Sequence, residues 1–131
     1  MKLALLCLIT ILLSSLAEGQ KGASGKTGND LLPACTAALD EVDGRSISAD
    51  QMLAGRACGY YVAGFLDGWG FGQVAAQGTK ETAICPPEGF TSVQAIRIFT
   101  KWMREHPEKL NEGAGPLLFF ALRDAFGCKS S

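Results

Sequence analysis

The chain carries one histidine, His106, among its 131 residues. That scarcity excludes much chemistry. A serine or cysteine nucleophile needs a base within hydrogen-bond reach, and His106 is the sole imidazole on offer. It stands directly before Pro107, where a helix-junction role accounts for it. No two cysteines stand at the C-x2–4-C spacing of a zinc knuckle, so no metal is expected, and no cofactor either. No glycine-rich phosphate loop opens a helix behind a strand, and no stretch alternates polar and apolar residues as strands do. Excess charge is lacking too, with 12 Lys and Arg against 13 Asp and Glu. Nucleic acid is therefore not an expected partner. Asp40, Glu41 and Asp43 cluster at a helix end, where acids form solvated turns rather than an acid and base pair. These absences argue against an enzyme.

What is present begins with Met1-Lys2 and an apolar run from Leu3 to Leu16, the pattern of a secretory signal peptide. The run is short for a membrane span. Small residues in Ser15-Leu16-Ala17 offer a cleavage site, which makes residues 1–17 the leader; cutting after Gly19 is the alternative. No membrane association is expected after its removal. Residues 18–28 hold four glycines and one apolar side chain, Ala23, and read as a flexible arm before a helical domain over 29–131. Losing Lys2 with the leader takes the 12 basic residues to 11, against 13 acidic ones. Roughly 110 residues remain, one domain of ordinary size.

Helical periodicity fills that domain. A first helix starts at Asn29, with Asn29 or Asp30 as its cap, and ends at Val42-Asp43-Gly44. Ser48 and Gln51 form a capping box for a second helix from Ala49 to about Ala75, flanked by Ile47 and Met52 at staple positions. Gly55 and Gly59 lie on one face of it, Gly64, Gly68 and Gly72 on the opposite face, so backbones can approach on both sides. Thr91 and Gln94 form a second capping box, for a helix over 92–105 whose polar arc holds Gln94, Arg97, Lys101, Arg104 and Glu105. A last helix carries Leu117, Leu118, Leu122 and Phe126. The fold class is all-α, a small bundle of about four main helices stapled by two disulfides.

Cys7 leaves with the leader, and Cys35, Cys58, Cys85 and Cys128 remain in an exported chain. Short connections make consecutive helices antiparallel neighbours. Four cysteines permit three pairings, which sequence alone does not decide; this geometry favours Cys35 with Cys58, and Cys85, before the third helix, with Cys128 at the end of the last. The loops so closed hold about 24 and 44 residues, with upper estimates of roughly 3.5 and 4 kcal/mol in the chain-entropy model.

Several separated motifs occur in order: Cys58 to Gly68 (Cys-Gly-Tyr-Tyr-Val-Ala-Gly-Phe-Leu-Asp-Gly), Ile84-Cys85-Pro86-Pro87, His106-Pro107-Glu108, Ala121-Leu122 and Phe126-Gly127-Cys128. In these the chain resembles the Rap/Tai family of type VI secretion immunity proteins, from about Gly28 to Cys128. Pro87 and the tail Lys129-Ser130-Ser131 depart from the family pattern. The resemblance implies a periplasmic, helical, disulfide-containing and often dimeric protein that neutralises a toxin such as a peptidoglycan amidase. The alternative from another class is a periplasmic housekeeping or stress-response helical binding domain without a toxin partner.

Two surfaces are candidates for interaction. The longest irregular segment runs from Gln77 to Ala83 and is polar, with Gln77, Thr79, Lys80, Glu81 and Thr82 offering hydrogen bonds to a toxin's cleft. Cys85 and Pro86-Pro87 anchor its far end, which lowers the entropy lost on docking. The face with Gly64, Gly68, Trp69 and Gly72 is the candidate seam of a homodimer. The stripe of Arg97, Lys101 and Arg104 reads as a solvated face, with an acidic partner surface as its other use.

Overall fold

The computed structural model describes residues 25–76 and 84–129. The leader, most of the expected arm and the segment 77–83 lie outside the described residues. Within them the chain forms α1 (Gly28–Val42), α2 (Ala49–Ala76), α3 (Ser92–Glu105), a 3-10 turn over Pro107–Lys109, and α4 (Ala114–Phe126). This is the expected all-α bundle.

The second and third helices start where their side chains satisfy otherwise orphaned backbone groups. Ser48 N–H donates to Gln51 Oε1 at 2.8 Å, and Gln51 N–H donates back to Ser48 Oγ at 3.2 Å. Thr91 and Gln94 repeat the exchange at 2.8 and 3.3 Å. Helix α1 differs from expectation. Its cap is Thr27, whose backbone N–H and hydroxyl both donate to the Asp30 carboxylate at 2.8 Å.

The physical reason is a long-range clamp. Ala114 N–H donates to the Lys26 carbonyl at 2.7 Å, Gly28 N–H to Glu112 at 3.2 Å and Asn29 N–H to Leu110 at 2.9 Å. Thr27 and Gly113 form an isolated bridge. Gly28 is buried, and a methyl group on it would meet Leu117 at 2.8 Å. Residues 26–29 are thus held to the bundle by backbone hydrogen bonds to residues 110–114.

Helix α1 stops in a Schellman arrangement. Arg45 N–H donates to Asp40 O at 2.8 Å and Gly44 N–H to Glu41 O at 3.1 Å, with Gly44 at φ 74°, a conformation suited to glycine. The short turn sends α2 back along α1. Cys35 and Cys58, each wholly buried, are bonded across this hairpin with Cα atoms 5.2 Å apart. Gly55 lets the two backbones approach, because a Cβ there would stand 2.9 Å from the Ala38 nitrogen.

Helix α3 is amphipathic as its periodicity predicts. Ala95, Ile96, Phe99, Thr100, Trp102 and Met103 are buried, while Gln94, Arg97, Lys101, Arg104 and Glu105 are exposed. Phe99 and Met103 meet Val62 of α2 and Leu117, Leu118 and Leu122 of α4 in one core. Each such fully buried side chain contributes about 1.5–3 kcal/mol. Beyond α3, the 3-10 turn at Pro107 redirects the chain so that α4 returns along α3, and Cys128 reaches Cys85 with Cα atoms 5.0 Å apart.

Candidate partner-binding surface

The expected toxin-facing residues Gln77, Thr79, Lys80, Glu81 and Thr82 lie outside the described residues. The segment's far anchor is described in full. Ile84 is buried and bridges Gly127, and Cys85 N–H donates to the Phe126 carbonyl at 2.7 Å. The Cys85–Cys128 disulfide closes the same corner, and Phe90 meets Phe126 edge to face with ring centroids 5.0 Å apart. A covalent bond, a backbone bridge and an aromatic pair thus fix where the chain re-enters the bundle.

The candidate dimer seam lies on α2. Gly64, Gly68 and Gly72 are exposed, and a methyl group on any of them would have no heavy atom within 4 Å. Trp69, on the same stretch, is half-buried against the core. The two glycine faces are thus unequal: Gly55 is filled by α1 within the chain, whereas Gly59, expected beside it, is also open. Further towards the start of α2, Leu53 is 65% and Tyr60 79% exposed, large apolar surfaces that the single chain leaves uncovered. Tyr61, next to Tyr60, turns inwards instead, and burial pushes its phenol pKa up.

The basic stripe of α3 is occupied within the chain. Arg97 pairs with Asp43 at the end of α1, Arg104 donates to the Thr36 hydroxyl at 3.1 Å, and Lys101 lies 3.7 Å from Glu105. The Arg97 guanidinium holds the Asp43 carboxyl below the usual aspartate range, with Arg45 adding to the effect. Asp30 is likewise lowered, by its hydrogen bonds from Thr27. The Arg97 and Arg104 contacts tie α1 to α3, and the Lys101 pair stays within α3.

His106 is a junction residue. Its backbone N–H donates to Trp102 O at 3.0 Å, its Nδ1 lies 2.9 Å from the same carbonyl, and its ring stacks on the Trp102 indole at 4.0 Å. Trp102 in turn donates its indole N–H to Asp124 Oδ2 at 2.9 Å. Sequence reasoning did not single out Asp124. The available signal was the tryptophan, since a buried indole N–H requires an acceptor, but which acid supplies it depends on how α3 and α4 pair.

No curated protein and no solved structure matches the chain. The family model described as Rap1a immunity proteins matches residues 27–128, from the Thr27 cap to the last disulfide cysteine. Its start lies at the Thr27–Gly113 bridge and its end at the Cys85–Cys128 disulfide. The chain belongs to the Rap1a immunity protein family.

Proposed function

We propose that the protein is exported to the periplasm, where it binds and inhibits a type VI secretion toxin that is a peptidoglycan amidase. The observation that carries the reading is the immunity-family match over the whole described domain. Other features support it. Two disulfides suit an oxidising compartment, and among the described residues no helix is long and apolar enough to cross a membrane. The segment Gln77 to Ala83, anchored through Cys85, enters the toxin's catalytic cleft. Two copies associate through the outward face of α2 at Gly64, Gly68, Trp69 and Gly72.

The reading is tested by asking whether a gene for a cysteine and histidine amidase effector lies beside this chain's gene, and by expressing that effector in the periplasm of a susceptible bacterium. Co-expression of this protein with its leader intact restores growth. Lysis that continues despite abundant exported protein would contradict it.

A further inference from the structure

We infer that two copies of the chain pair through α2 in antiparallel register, with Tyr60 of one copy seated over Gly64 of the other and Arg56 paired with Asp67 at both ends of the contact. That two copies associate rests on the dimer proposed above; the register rests on the outward face of α2 itself.

Helix α2 turns Gly55, Cys58 and Val62 into the bundle, where all three are buried. At about 100° per residue, Leu53, Arg56, Tyr60, Gly64 and Asp67 fall within an arc of about 80° on the opposite side. All five are exposed. The first half of this stripe is bulky, because Leu53 and Tyr60 leave 65% and 79% of their surface in water. The second half is flat, since a methyl group on Gly64 or Gly68 would meet no heavy atom within 4 Å.

Charge is divided in the same way. Arg56 lies in the first half and Asp67 in the second, about 16.5 Å apart along the axis, too far to meet within one chain. Among the described residues neither has an ion partner, and the Arg56 guanidinium donates to Met52 Sδ, a weak acceptor, at 3.5 Å.

Each half of the stripe thus carries what the other half lacks, and a second copy is the occupant that supplies both. A twofold axis crossing α2 at the level of Val62 reverses the helix direction. It sets Tyr60, two residues before Val62, against Gly64, two residues after it. Arg56 stands about 9 Å before the axis and Asp67 about 7.5 Å after it, so opposite charges meet within about 1.5 Å along the helix. Twofold symmetry makes every contact twice. Parallel pairing would instead set Arg56 on Arg56 and Tyr60 on Tyr60, like charge on like charge and bulk on bulk. An unrelated apolar segment would cover Leu53 and Tyr60 and leave both charges unmatched.

Sedimentation of the disulfide-bonded protein and of charge-reversed variants tests this. In Arg56→Asp each stripe carries two acids, and in Asp67→Arg it carries two bases. Either variant alone is expected to self-associate at least ~ten-fold more weakly than the parent, because both ends of the contact become like-charge pairs. An equimolar mixture of the two is expected to recover the parent's association, since opposite charges then face each other at both ends. The altered side chains are exposed, and circular dichroism checks that helicity is unchanged. Tyr60→Ala, which alters no charge, is expected to weaken association about ten-fold as well. A parent that associates while either reversal does so equally well, or a mixture that fails to recover, would overturn the register and leave the dimer standing. Undiminished association of Tyr60→Ala would do the same. A monomeric parent at ~10 µM would remove the dimer and the register together.

Discussion

A methyl group placed on Gly55 would stand 2.9 Å from the amide nitrogen of Ala38 and 3.0 Å from its Cα. Both neighbours are backbone, in a hairpin already pinned by the Cys35–Cys58 bond, so neither can swing aside. Gly59, one turn later, has no such neighbour.

Opposite signs follow for the same substitution at these two positions. Gly55→Ala is expected to lower unfolding stability by about 1–3 kcal/mol through overpacking. Gly59→Ala is expected to raise it by up to ~1 kcal/mol through helix propensity. Urea unfolding of both variants checks the pair, and an equal effect at the two sites would contradict the observed crossing.

The two disulfides differ in exposure. Cys35 and Cys58 are wholly buried, whereas Cys85 is exposed and Cys128 half-buried. A thiol reductant must reach the sulfur it attacks. Under native conditions, graded reduction followed by alkylation and peptide mapping is therefore expected to label Cys85 and Cys128 first, with Cys35 and Cys58 labelled only after unfolding. The helical signal should survive the first stage.

The Asp43 carboxyl, held low by Arg97, ties the end of α1 to α3. A carboxyl whose pKa is lower in the folded state stabilises the fold above its unfolded value, near 3.9, and loses that contribution as pH falls through the folded value. Carbon-detected titration of the side chain is expected to give an Asp43 midpoint below that of a free aspartate. Arg97→Gln should return it towards the ordinary value, with the larger part of the acid-dependent change confined to below about pH 4.

How much of this was legible in the sequence follows from how local each device is. The Ser48–Gln51 and Thr91–Gln94 boxes span three residues and involve only their own backbone, so their residue types announce them. The Cys35–Cys58 pairing follows from one short turn between two helices. The Thr27 cap was not legible, because Lys26 to Asn29 is held by carbonyls and N–H groups of residues 110–114, more than eighty positions away. Glycine spacing placed Gly55 and Gly64 on different faces of α2, yet period alone does not say which face packs. The Trp102–Asp124 contact depends on the register of α3 against α4, which no local pattern encodes.

The proposed dimer makes the open glycines of α2 the place to intervene. Gly64→Leu and Gly68→Leu add side chains where the single chain has nothing within 4 Å, so the monomer should fold normally. Sedimentation is expected to show the parent protein dimeric at ~10 µM, an association of roughly 7 kcal/mol, and both variants monomeric. A monomeric parent protein at that concentration would dispose of the dimer.

Inhibition of a peptidoglycan amidase, as proposed, is measured directly by hydrolysis of purified peptidoglycan by a type VI amidase effector from the same genome as this protein is titrated in. Activity is expected to fall in proportion and end at one equivalent, and a variant with Thr79 to Thr82 replaced by glycine and serine, its helicity intact, is expected to require far more protein or fail to inhibit. Undiminished hydrolysis in the presence of excess disulfide-bonded protein would show that this protein does not inhibit the enzyme.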